Sequence, residues 1–119
     1  MYGFPADLDL SSALGQETTQ LCVGPYDLQF SFGPVTFAIQ SRVEVRRNGG
    51  LIGSWEAGGW PESAFYQMLN TALQAFVVLD PKRLSLRLAN GLELQLLDTS
   101  EQYESMQIYV GGLDGAHII

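Results

Sequence analysis

Two stretches of strict alternation, each broken by a glycine-bearing turn, constrain this chain more than any other feature. Leu28, Phe30 and Phe32 are spaced by two, as are Val35, Phe37 and Ile39, with Gly33-Pro34 between the runs. The design returns at Leu84, Leu86 and Leu88, then at Leu92, Leu94 and Leu96, joined by Ala89-Asn90-Gly91. A period of two places every second side chain on one face of a strand. A short loop with glycine folds two such strands back on each other. Each stretch therefore reads as a β-hairpin with one apolar face. The upstream flanks also match. Pro25 stands three residues before Leu28 and Pro81 three residues before Leu84, and each is preceded by a short apolar strand, Leu21-Cys22-Val23 and Val77-Val78-Leu79. The shared plan reads either as an internal repeat or as the general likeness of antiparallel meanders.

Between the two copies the chain changes period. Val43, Val45 and Arg47 continue as a strand, Asn48-Gly49 suits a type I′ turn, and Gly50 to Trp55 returns as its partner. Pro61 is then a good first helical residue. Phe65, Met68, Leu69, Ala72, Leu73 and Phe76 fall on one helical face, with Glu62, Ser63, Gln67, Asn70 and Thr71 opposite. This spacing predicts a helix over about 61–73 lying on the sheet, its last positions passing into the next strand. Met106, Ile108 and Val110 alternate as a closing strand, and Gly111-Gly112 and Leu113-Asp114-Gly115 read as turns. The expected fold class is α+β. An antiparallel sheet of about seven strands, built from two similar β-meander halves, packs on one main helix.

The 119 residues suffice for one domain, 1–119, and no linker or low-complexity run divides them. Residues 1–17 read as a weakly structured N-terminal segment, with one helical turn at Ser11 to Leu14 stopped by Gly15. No basic and apolar leader stands at the start, and a lone cysteine, Cys22, forms no internal disulfide, so a cytoplasmic setting is expected. Hydrophobic residues make up 46% of the chain, which argues against general disorder. No run approaches the ~20 apolar residues of a membrane span, so no membrane partner is expected. A net charge of −7 repels phosphate backbones, which argues against a nucleic-acid partner.

The second half, with Leu84-x-Leu86-x-Leu88, Gly91-Leu92-x-Leu94-x-Leu96, Tyr103-Glu104 and Ile108, resembles a family of small single-domain bacterial proteins of unknown function. The first half resembles it in Gln20-Leu21-Cys22-Val23-Gly24 followed by Leu28-Gln29-Phe30. The resemblance runs from about Leu14 to Gly112 and departs at Arg46 to Trp60. It brings no established activity. Some members are suspected toxin-immunity proteins, which implies a protein partner.

The search for chemistry is largely negative. Gly49-Gly50 and Gly58-Gly59 lack the spacing of a nucleotide loop and no Lys-Ser or Lys-Thr follows, so no cofactor is expected. No Cys/His cluster suggests a metal. A nucleophilic dyad would need Cys22 and His117, the only histidine, two residues from the last. Asp98, Glu101 and Glu104 read either as a solvated acidic stretch or as carboxylates for a hard cation or a small hydrolase. Tyr103-Glu104 reads as a packed strand entry, with Glu104 paired to an arginine such as Arg87, or as part of a partner-binding edge. The segment from Arg46 to Trp60 is the richest surface candidate. Arg46, Arg47, Trp55 and Trp60 are residue types that anchor interfaces. In this reading Trp60 staples the helix start against Phe65 or Ala64 and Trp55 is the exposed one. From Leu88 to Ile119 there are five acids and no Lys or Arg, an acidic flank suited to a basic partner.

The leading expectation is a non-enzymatic protein-binding module, such as an immunity-type inhibitor. It would use candidate contacts Arg46, Arg47, Trp55, Trp60, Asp98, Glu101, Tyr103 and Glu104. The alternatives are a carboxylate- or metal-dependent enzyme built on Asp98, Glu101 and Glu104, and a homodimer closing a sheet edge with its twin.

Overall fold

In the computed structural model the described residues are 3–99, 106–110 and 116–119, with backbone alone for 116–118. Both alternating stretches form the expected hairpins. The first joins β2 (Leu28–Phe32) to β3 (Val35–Ile39), and β1 (Cys22–Val23) pairs with β2. The second joins β7 (Arg83–Leu88) to β8 (Leu92–Leu97), and β6 (Leu73–Asp80) pairs with β7. Between them β4 (Arg42–Arg47) and β5 (Gly50–Trp55) turn through Asn48 and Gly49, whose φ values of 53° and 80° are those a type I′ turn demands. Beyond β8 lie β9 (Met106–Val110) and β10 (Ala116–Ile118), an antiparallel pair.

The strands form two antiparallel sheets, ordered β1-β2-β3-β9-β10 and β5-β4-β8-β7-β6. Each sheet is one meander completed by the strand pair that follows the other meander. β4 leaves the first meander to pair with β8, and β9 leaves the second to pair with β3. The inward rows of both sheets share one core, in which Phe32, Phe37, Ile39, Val45, Leu86 and Leu94 are wholly buried. Burying an apolar row from each of two sheets against the other is what holds a sandwich together.

The α+β expectation is corrected. The described residues contain no α-helix, and their strands number ten in two sheets rather than about seven in one. The stretch read as a helix over 61–73 forms only a 3-10 helix, Ser63–Met68. Phe65 and Met68 are buried from it, as the three-residue turn of that helix allows. Leu69 is already extended (ψ 142°) and Asn70 takes a left-handed φ of 60°. The backbone groups a longer helix would need are taken elsewhere. Asn70 N–H donates to Thr18 O at 2.8 Å, Leu73 N–H to Gln16 O at 2.8 Å, and Leu73 O accepts from Gly15 at 2.8 Å. The β-branched pair Val77-Val78 then favours the strand that begins at Leu73.

The N-terminal segment is also better packed than the sequence suggests. Phe4, Leu8, Leu10 and Ala13 enter the core, the last from a 3-10 turn at Ser11–Ala13. Phe4 N–H donates to Pro81 O at 2.7 Å, and Glu17 bridges Ala72. The segment is thus tied to both ends of β6.

Candidate partner-binding site

The connector from β5 to the 3-10 helix is built to hold one side chain out. Gly59 N–H donates to Glu56 O at 3.0 Å, closing a turn whose third residue, Gly58, has φ 88°. That left-handed value is what a type II turn requires there, and it suits glycine. Trp55 is 2% exposed, and its indole Nε1 donates to Gly59 O at 3.0 Å, fixing the far end of the turn to the core. Arg42 Nη1 donates to Glu56 Oε1 at 2.6 Å. Beyond the turn, Glu62 Oε1 accepts the Ser54 N–H at 2.8 Å. Gly53 permits this approach, because a Cβ there would lie 3.0 Å from Ala64 Cβ.

Trp60 sits between these anchors and is 82% exposed. It lines a cleft of about 300 Å³ with Gly58 and Gly59 on one side and Val23, Gly24 and Pro25 on the other. Tyr26, next to Pro25, is 72% exposed, and Tyr66 on the 3-10 helix is 74% exposed. Gly24 N–H donates to Asp27 O at 2.9 Å, and the Asp27 carboxylate occupies the space a Cβ on Gly24 would need. That carboxylate accepts from Gln29 Nε2 at 2.7 Å and lines the neighbouring hollow with Thr36 and Ala38.

The two tryptophans are placed the opposite way round from the expectation. A two-residue turn pairing Arg47 with Gly50 and Arg46 with Leu51 extrapolates to Arg42 opposite Trp55, a solvent-facing row. A bulge between Val45 and Arg46 shifts the register, so Trp55 pairs with the buried Val43 instead. A one-residue slip moves a side chain to the other face of a sheet, and here it carries Trp55 into the core. Trp60 does not staple the helix start, because Ser63–Met68 is anchored by Phe65, Met68 and the Ser54–Glu62 bond.

Arg46 and Arg47 serve as internal braces. Glu44 accepts from Arg42 Nε at 2.9 Å and from Arg46 Nη2 at 2.7 Å, making an alternating row on the outer face of β4. Burial by itself would raise the Glu44 carboxyl, but the hydrogen bonds and charges of Arg42 and Arg46 outweigh it and hold the group below its ordinary value. Arg47 reaches Asn90 O at 2.8 Å and Gln67 Oε1 at 2.7 Å, tying the second hairpin's turn to the 3-10 helix.

Asp98 is not a solvated acid. Its side chain is buried, 3.6 Å from Lys82 Nζ, and its N–H donates to Lys82 O at 2.9 Å. Glu101, Tyr103 and Glu104, with the expected Glu104–Arg87 pair, lie outside the described residues. Among the described residues no three His, Cys, Asp or Glu side chains are grouped to hold a metal ion. Cys22 and His117 lie on β1 and β10, the two opposite edges of the first sheet. Four inter-strand steps of ~4.8 Å separate them, on the order of 19 Å, which is too far for a dyad. No helix among the described residues is long and apolar enough to cross a membrane.

Two features escaped the sequence reading. Tyr26 follows a proline turn and carried no periodic signal. The cleft itself joins loops about 35 residues apart, a juxtaposition that only tertiary pairing creates. Comparison with protein-family models, curated proteins and solved structures found no match.

Proposed function

We propose that this protein is a non-enzymatic protein-binding module that engages its partner with the Gly58–Trp60 loop, Trp60 being the anchor. The observation that carries this reading is a tryptophan 82% exposed on a loop fastened at both ends. A single exposed apolar side chain is ordinary, but here a second exposed ring, Tyr26, adjoins the Pro25 wall of the same cleft, and grouped exposure is what marks a contact surface. Tryptophan and tyrosine are the side chains that most often dominate interface energies. A loop already held in shape loses little further freedom on binding. An immunity-type inhibitor, the role implied by the resemblance to small bacterial proteins, is one form such a module takes.

The test is a photoreactive residue at Tyr26, with Trp60 intact, irradiated in the native cell. A discrete adduct is expected that disappears with Trp60→Ala and is absent from a control site at the exposed Asp7. An adduct that survives Trp60→Ala, or no adduct above the control, overturns the reading.

Self-association is a second reading with its own observation. β6 is an eight-residue edge strand with exposed Val77 and Leu79. Open apolar edges invite pairing with another chain. Sedimentation of the native protein tests it. A dimer that Val77→Lys dissociates is expected on this reading, and a monomer at all concentrations removes it.

A further inference from the structure

We infer that the cleft beside Trp60 takes a proline-rich segment of the partner in its extended polyproline II form. This rests on the protein-binding reading above and names the chemistry of its contact. The lining sets the polarity of the occupant. Val23, Gly24, Pro25, Gly58, Gly59 and Trp60 bring no ionisable side chain and no side-chain carboxylate, amide or hydroxyl. A charged side chain would enter with no opposite charge to offset its lost hydration. A sugar would bring hydroxyls that find no side-chain acceptor there. The nearby carboxylates are engaged elsewhere, Asp27 with Gln29, Glu56 with Arg42 and Glu62 with Ser54. The cleft does offer an indole ring, a proline ring on the other wall, and one side-chain donor. That donor is the Trp60 indole N–H, which no group among the described residues accepts. A proline segment matches each of these. Its rings pack on aromatic surfaces, it has no N–H to leave unpaired, and its carbonyls carry no internal hydrogen bond. Its fixed shape costs little freedom on binding, as does the fastened loop that meets it. Tyr26, 72% exposed, extends the aromatic surface beyond the Pro25 wall. An apolar helix is the competing occupant of such a groove, but its carbonyls are spent within the helix and leave the indole N–H unanswered.

The experiment titrates the native protein into hexaproline, hexa-arginine, an amphipathic helical peptide and a glucose hexasaccharide, each dye-labelled, and follows anisotropy. Saturable binding of hexaproline is expected, at one affinity in low and high salt because the contact involves no charge. Trp60→Ala should lose about tenfold or more. Trp60→Phe keeps an aromatic ring without the donor and should lose about threefold or more. Tyr66→Ala removes a ring that is also exposed but does not line the cleft, and should leave binding unchanged. Any of the other three probes binding as tightly as hexaproline overturns the inference. So does an affinity that falls with salt, full binding by Trp60→Ala or Trp60→Phe, equal weakening by Tyr66→Ala, or no saturable binding at all. If the Tyr26 adduct forms while hexaproline does not bind, the proline contact is wrong and the binding module stands. If hexaproline binds as expected and no adduct forms, the cellular partnership falls and the cleft chemistry stands.

Discussion

Trp55 and Trp60 are five residues apart, end the same connector, and meet opposite fates. Trp55 closes β5, packs in the row of Val43 and spends its indole N–H on the backbone of Gly59. Trp60 stands 82% in solvent on the turn that Trp55 steadies. The difference is not one of composition, since both rings sit beside glycines and glutamates. It comes from strand register. The bulge in the β4–β5 pair turns Trp55 inward, and the chain then leaves the sheet before Trp60 can be placed by any ladder. One tryptophan is thereby a structural post and the other is free to be a contact.

If that division is right, the two rings separate stability from binding. Trp55→Ala opens a large void in a close-packed core and should destabilise the protein by about 3–5 kcal/mol, read as a lowered denaturation midpoint. A cost below about 1 kcal/mol would mean the ring is not packed as described. Trp55→Phe keeps most of the packing but leaves Gly59 O without its donor, so it should cost far less and loosen the loop. Gly58→Ala comes next. Space for a methyl group is open, but φ 88° is left-handed, so strain of about 1–2 kcal/mol should appear in thermal unfolding.

What was legible in the sequence follows the same line between local and non-local. The hairpins at 28–39 and 84–96 were legible because alternation and turn chemistry are local properties of a dozen residues. The exchange that pairs β3 with β9 and β4 with β8 was not, because alternation says which face is buried and not which strand lies alongside. The helix expected over 61–73 failed for a related reason. Phe65 and Met68 suit a helical face, but Leu73 and Phe76 owe their burial to a strand that starts beyond Asn70. The site divided in the same way. The Arg46 to Trp60 stretch could be singled out by residue type. The exchange of roles between Trp55 and Trp60 depended on a bulge, and the Gly24–Pro25 wall depended on tertiary placement.

The buried end of the connector also has an electrostatic brace, and pH can loosen it selectively. Glu44 is held below its ordinary pKa, against the effect of burial, by Arg42 and Arg46, and Arg42 extends the brace to Glu56. On acidification the unfolded chain therefore takes up a proton at Glu44 before the folded one does. The stability this brace contributes is present at neutral pH and is lost as pH falls through and below the usual carboxylate range. Glu44→Gln should flatten that part of the stability–pH curve in chemical denaturation. An unchanged slope would mean that other carboxylates carry the acid sensitivity.

The smallest expected effect on stability is the most diagnostic. Trp60→Ala removes a ring that buries little, so the denaturation midpoint should move by no more than about 0.5 kcal/mol in equivalent stability. Iodide or caesium quenching should fall sharply in the same variant, because the remaining tryptophan is enclosed. The two ions separate charge from exposure, since a chain of net charge −7 attracts caesium and repels iodide. A stability loss above about 1.5 kcal/mol would place the indole in a packed position and erase the contrast with Trp55. Preserved stability with preserved partner capture would keep the contrast but deny Trp60 its role. Preserved stability with capture lost is the outcome that assigns the two rings to two different tasks.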